Sequence, residues 1–163
     1  MRIDHPFSPI YDEHSKILIL GSFPSPKSRE DGFYYAHPRN RFWEILAWIT
    51  KTTKIPNNIN EKKLFLLKNK IALWDVIKSC DIEGSVDNTI KNAIPSDLSM
   101  ILKSSNVRQI FLNGGKAHGL YKKHWPKYIS LEAKKLPSSS PANASYNILK
   151  LIADWNIISP YLR

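Results

Sequence analysis

A single cysteine, Cys80, in 163 residues excludes an intramolecular disulfide and an iron–sulfur cluster held by cysteines alone. A lone thiol of this kind reads as a small core residue, not a nucleophile. No group of His, Cys and carboxylates has metal-site spacing and no GKS or GKT phosphate loop occurs, Gly114-Gly115-Lys116 being only superficially like one, so no metal or other cofactor is expected. No apolar run approaches the roughly 20 residues of a membrane span and the first residues lack a signal-peptide pattern, which points to a cytoplasmic, nucleoid-associated protein without a membrane partner. Acidic residues are also scarce: 14 Asp and Glu stand against 24 Lys and Arg, giving a formal charge of +10 and a pI near 9.7. That balance suits a polyanionic partner, nucleic acid before any other. The lysines come in scattered pairs such as Lys62-Lys63 and Lys122-Lys123 with no basic tail, so solubility alone accounts for some of them.

What is present is enough for one domain over residues 1–163, because a globule of this size buries roughly 70% of its unfolded surface and needs no staple. Apolar runs of strand length fall at 17–20, 71–74, 107–112 and 129–131. Helix-like spacing separates them at 42–50, 61–68, 97–103 and 116–125, with Ser96 as a candidate cap. A last helix, about 146–155, carries Ile148, Leu149, Ile152 and Trp155 on one face. Alternating strands and helices predict an α/β fold, an α/β/α sandwich around a central, mainly parallel four-stranded sheet. Parallel order brings the carboxyl ends of the strands to one edge, where such sheets bind ligands. The loops gathered there are 21–40, 75–87, Asn113-Gly114-Gly115 and 136–143.

The first of these, GSFPSPKSREDGFYYAHPRNRFW from Gly21 to Trp43, combines a glycine- and proline-constrained backbone with Tyr34, Tyr35, His37, Arg39, Asn40 and Arg41. Stacking rings, amide groups and positive charge together suit a nucleobase and its phosphates. Taken singly, each tyrosine could as easily cover the core, His37 could be a structural residue before Pro38, Asn40 could cap the following helix, and Asn113 could be a turn residue.

Together these loops resemble the uracil-DNA glycosylase superfamily over most of the chain. Gly21-Ser22-Phe23-Pro24-Ser25 and the string GFYYAHPRNRFW are similar to the first motif of the mismatch-specific uracil and thymine enzymes, and LPSSSPAN at 136–143 is similar to the second motif. LWDVIKSCDIEGSVDNTI and FLNGGKA bring the overall likeness closest to the hypoxanthine-DNA (deoxyinosine) glycosylase branch. Two departures bear on mechanism. Phe23 stands where relatives carry a water-activating Asn or Asp, and serines replace the second-motif His that strong uracil glycosylases use on the leaving base.

The resemblance implies a monofunctional DNA glycosylase that flips a deaminated base, hypoxanthine first, out of the duplex and hydrolyses its N-glycosidic bond. It implies catalytic roles for Asn40 and Asn113, Asn113 also reading the base edge through its amide, and a pocket formed by Gly21, Ser22, Phe23, Tyr35 and Asn113, with Tyr35 stacking on the base and Tyr34 as the alternative ring. Ser25, Ser28, His37, Arg39, Ser138, Ser139 and Ser140 are the implied backbone contacts, and Pro141, Ala142 and Asn143 the segment that enters the duplex, where Ala142 makes a small wedge. The expected partner is double-stranded DNA with deaminated bases, single-stranded DNA remaining open, and the expected state is a monomer. A uracil or broad deaminated-base glycosylase is the rival on the same fold. A binding module without catalysis is the rival of another class, kept alive by Phe23.

Overall fold

A short entry strand, β1 (Arg2–Asp4), precedes the apolar run at the centre of the molecule, β2 (Ile17–Gly21), in which every residue is buried. The computed structural model describes residues 1–83, 90–125 and 130–163. After β2 come helices α1 (Pro26–Asp31), α2 (Phe42–Ile49) and α3 (Ile59–Lys68), then β3 (Ile71–Asp75). Strands β4 (Ile77–Asp81) and β5 (Lys91–Pro95) and helix α4 (Ser99–Ser104) lead to β6 (Gln109–Asn113). Helix α5 (Gly115–His124), strand β7 (Ala133–Leu136), helix α6 (Ile148–Trp155) and a 3-10 turn, Asn156–Leu162, complete the chain.

The main sheet has the order β3-β2-β6-β7 with every neighbouring pair parallel, the expected four-stranded architecture. Its strands alternate between two cores because successive side chains point to opposite faces. Ile17, Ile19, Ile71, Leu73 and Phe111 pack beneath α2, α3 and α6, where Phe42, Leu46, Leu66 and Trp155 are buried. Leu18, Leu20, Ala72, Ile110 and Leu112 pack on the other side against Ile101 of α4 and Ala117 and Tyr121 of α5. The register sets Gly21 opposite Asp75, Leu20 opposite Leu112, and Asn113 opposite Leu136, so the four carboxyl ends finish level at one edge. Among the described residues, no helix is long and apolar enough to cross a membrane.

Four expectations need correction. The last strand is β7, not 129–131: Ile129 lies outside the described residues, and Leu131 precedes a strand whose Lys134 and Lys135 hide it from an apolar scan. Lysines are tolerated there because, among the described residues, β7 is an edge strand paired with β6 alone. Part of the presumed loop 75–87 is β4, which joins β1 and β5 in a second, antiparallel sheet of order β1-β4-β5, while residues 84–87 fall outside the described residues. Ser96 does not cap α4, which begins at Ser99; its hydroxyl donates to the Asp75 carbonyl at 2.8 Å. In α6 the buried residues are Leu151 and Trp155, whereas Leu149 is turned to solvent.

Candidate active site

The long loop after β2 is stiffer than its composition suggested, because it contains a helix. Ser25 caps α1 by accepting from the Ser28 N–H at 3.2 Å, Pro26 opens the first turn, and Gly32 ends it at φ 78, a left-handed conformation that glycine adopts without strain. The Ser28 hydroxyl accepts from Ser25 Oγ at 3.2 Å and from the Ala36 N–H at 3.1 Å, tying the start of the loop to its middle. Beyond it, Phe33 and Tyr34 are core residues, and the Tyr34 hydroxyl donates to the Ser8 carbonyl at 2.9 Å. Tyr35 sits at φ 50 and lays one ring face on Phe42, with centroids 4.1 Å apart and planes at 23°. Its hydroxyl is buried without a hydrogen-bond partner. Burial, and next the Asp75 charge, push that phenol well above its usual range, while the Asn113 amide beside it works the other way.

The second loop, 137–146, has no helix or strand of its own and is held from outside. Arg41 does most of this: its guanidinium donates to the carbonyls of Ser140 at 2.6 Å, Asn143 at 3.1 Å and Tyr146, and its backbone N–H donates to the Ser139 carbonyl at 3.1 Å. Trp155 Nε1 fixes the Pro137 carbonyl at 2.8 Å. Gly114, at φ 98, allows the close approach of β6 to this loop, since a Cβ there would lie 3.1 Å from Ser138 Cβ.

Ser139, completely buried, joins the two asparagines. Its hydroxyl donates to Asn40 Oδ1 at 2.9 Å and accepts from Asn113 Nδ2 at 3.0 Å, and its N–H donates to Asn113 Oδ1 at 3.0 Å. Asn40 Oδ1 also accepts from the Phe42 N–H at 3.0 Å, the helix-start contact anticipated as the alternative to catalysis. With its oxygen engaged twice, the orientation of the Asn40 amide is fixed. Its Nδ2 has no partner among the described residues.

Asn40, Asn113, Tyr35, Gly21, Ser22 and Phe23 line one cavity of about 130 Å³, whose wall also includes Asp75. Phe23 is only 5% exposed and contributes an apolar surface. A wider, shallower groove of about 720 Å³ adjoins through Ser22 and Asn113, and is flanked by the N-terminus of α5, Lys135, Ser138, Ser140, Ala142 and Asn143. A helix N-terminus and serine hydroxyls beside a lysine form an environment for anions.

Not every anticipated contact fits. Ser28 and Ser139 are buried with their hydroxyls committed to the protein, so neither offers its hydroxyl to a DNA backbone. Ser25 lines the small cavity, but its hydroxyl is the α1 cap. His37 Nδ1 accepts from the Arg39 N–H at 3.0 Å; His37, Arg39 and Pro141 belong to neither cavity wall, and Arg39 is exposed. A two-point reading of a base by Asn113 meets an amide already engaged at both ends, leaving one N–H and one lone pair. Reasoning from sequence missed His5, counted Arg41 among the positive charges for phosphates when its guanidinium instead clasps the second loop, and placed Asp75 at the start of an edge loop without a role. A charged residue ending the apolar run IALW was a signal for Asp75, since β3 finishes at the ligand edge; nothing in the sequence marked His5. Among the described residues, no three His, Cys, Asp or Glu side chains form a group that could hold a metal.

A parallel β3-β2-β6-β7 sheet with a polar cavity at its carboxyl edge, built from a glycine loop and a serine-rich loop, places the chain among the α/β proteins whose site lies at the strand ends. The model of the family described as Uracil DNA glycosylase superfamily matches residues 8–157, and the chain belongs to that superfamily. It is 36% identical over 137 residues to a hypoxanthine DNA glycosylase from Methanosarcina barkeri, covering 84% of this chain and 86% of that protein. A hypoxanthine DNA glycosylase from Methanosarcina acetivorans is 38% identical over 143 residues, covering 86% and 89%. The solution NMR structure of a uracil DNA glycosylase candidate from Methanosarcina acetivorans superposes with a TM-score of 0.80 at 32% identity, covering 99% of each chain.

Proposed function

We propose that this chain is a single-domain, monomeric DNA glycosylase that extrudes deoxyinosine from double-stranded DNA and hydrolyses the C1′–N9 bond, leaving an abasic site. Two relatives carrying the name hypoxanthine DNA glycosylase over more than four-fifths of the chain support the substrate. The observation that carries the reading is the Asn40–Ser139–Asn113 relay, which holds an uncommitted amide donor at the cavity wall. Departure of the base builds positive charge on the sugar and negative charge on the purine, so a preorganised N–H donor favours the transition state over the ground state. Asn40 therefore acts through Nδ2, either on the departing base or on the oxygen of the attacking water. It does not act as a base, since its carbonyl already accepts two hydrogen bonds. The groove beside α5 takes the DNA backbone, offsetting the few kcal/mol that flipping costs, which is least for a weakly paired base.

Phe23 favours a second reading, a nucleic-acid-binding module without catalysis, because an aromatic ring cannot polarise water. A single-turnover assay with enzyme in excess over deoxyinosine, uracil and xanthine duplexes separates the two. Abasic product from deoxyinosine supports the glycosylase, and faster uracil release moves the substrate assignment. Salt-sensitive binding with no abasic product overturns the enzyme reading.

A further inference from the structure

Asp75 is 3% exposed, yet it lines the cavity and hydrogen-bonds to neither asparagine. Its Oδ2 is 2.8 Å from His5 Nε2, and both side chains are almost completely buried. His5 Nδ1 accepts from the Phe7 N–H at 3.4 Å, so the ring proton sits on Nε2 and is donated to Asp75. The His5 backbone is held in turn by its N–H to the Lys78 carbonyl, at 2.7 Å. Oδ2 is thereby committed, while Oδ1 has no partner among the described residues. A Cβ on Gly21 would lie 2.5 Å from Asp75 Oδ1 and 2.7 Å from the Tyr35 hydroxyl, so both oxygens flank one point on the cavity floor. One is a fixed acceptor and the other is a buried hydroxyl without a partner.

We propose that Asp75, oriented by His5, is the specificity-determining residue of the pocket: its Oδ1 accepts from a ring N–H of the extruded base. Hydrolytic deamination turns an amidine ring nitrogen, an acceptor, into a lactam N–H, a donor. A fixed carboxylate acceptor reads that change directly, favouring the N1–H of hypoxanthine and opposing the N1 lone pair of adenine. The Tyr35 hydroxyl, at the same point, can donate to the adjacent O6. His5 is a positioning residue, acting only through Asp75. This inference rests on the glycosylase reading and deepens it to a class of base, the lactams produced by deamination.

The test compares single-turnover excision of hypoxanthine and N1-methylhypoxanthine from otherwise identical duplexes, and the affinity for each. Wild-type protein should prefer hypoxanthine, and Asp75→Asn and Asp75→Ala should reduce hypoxanthine excision about ten- to a hundredfold, the loss expected for a hydrogen bond to a charged group. Excision of the methylated base should not fall with it, so the ratio collapses. His5→Phe should lower the ratio and His5→Gln, which retains an N–H donor, should restore it. Equal wild-type handling of the two bases overturns the proposal without any variant, and so does an Asp75 variant that loses both activities in the same proportion or neither. If wild-type protein excises no deaminated base, the glycosylase reading falls; the affinities then decide, and equal binding of the two bases overturns the Asp75 assignment as well.

Discussion

The two loops that face each other across the cavity are stabilised in opposite ways. The first, after β2, supports itself through the Ser25 cap of α1, the Ser28 hydroxyl bonded to Ala36, and Tyr35 stacked on Phe42. The second, after β7, has little internal structure beyond serine and asparagine turns and is gripped by Arg41, Asn113 and Trp155. A loop that holds itself can change at one position and keep its shape. A loop that is held fails when the distant residue holding it is removed.

Arg41→Ala is the strongest attempt to break this contrast. It deprives a half-buried set of carbonyls of a charged donor, each such bond contributing about 1.5–3 kcal/mol, so several kcal/mol of stability and nearly all excision should go. Amide exchange should accelerate at 137–146 and stay slow at 25–36. Equal acceleration in both loops would show that the first depends on the same clasp.

Asn40→Ala and Asn40→Asp come next. The aspartate keeps an acceptor for the Phe42 N–H and the Ser139 hydroxyl but removes the amide donor, so the single-turnover rate should fall about 10²–10³-fold in both while the aspartate variant melts near wild type. A folded aspartate variant with wild-type rate would make Asn40 a helix-start residue alone.

Ser139→Ala cuts the relay, leaving Asn40 held by the Phe42 N–H alone and Asn113 by the Ser139 N–H alone. The loss should be about 1–3 kcal/mol in melting, with excision reduced less than by Asn40→Ala because the amide donor itself remains. The smallest effect belongs to Ser25→Ala, which removes the α1 cap at a cost of about 0.5–2 kcal/mol and should leave excision within a few-fold of wild type, since the rest of that loop still supports itself. A larger collapse of activity than of stability there would reassign Ser25 to the substrate.

The main sheet was legible because β2, β3 and β6 are buried on both faces and therefore read as continuous apolar runs. The convergence of residues 21–40, Asn113 and 136–143 followed from parallel order alone. β7 and the antiparallel sheet were illegible for one shared reason: Ala133-Lys134-Lys135-Leu136 and Lys91-Asn92-Ala93-Ile94-Pro95 pair at edges, where polar side chains cost little. Helix α1 did carry its signal, a serine before proline and a glycine after the last turn, but six residues show no apolar periodicity. Within the site, the residue types were readable and their commitments were not. Whether the hydroxyl of Ser139 faces DNA or Asn40 depends on a contact across 99 positions, and no local pattern encodes it.

β3 does not stop at the cavity. After Asp75 the chain passes through Val76 straight into β4, so the floor of the cavity is a splice between two sheets. Ser96, just beyond β5, anchors that splice by donating its hydroxyl to the Asp75 carbonyl and its N–H to the Val76 carbonyl, both at 2.8 Å. Ser96 is no part of the cavity wall, yet it holds the backbone that carries the carboxylate. Under the proposed role of Asp75, substitutions in the small sheet act on the carboxylate through this splice and retune base selection while the cavity wall stays the same, a route for drift in substrate range that comparison of cavity residues alone would not detect.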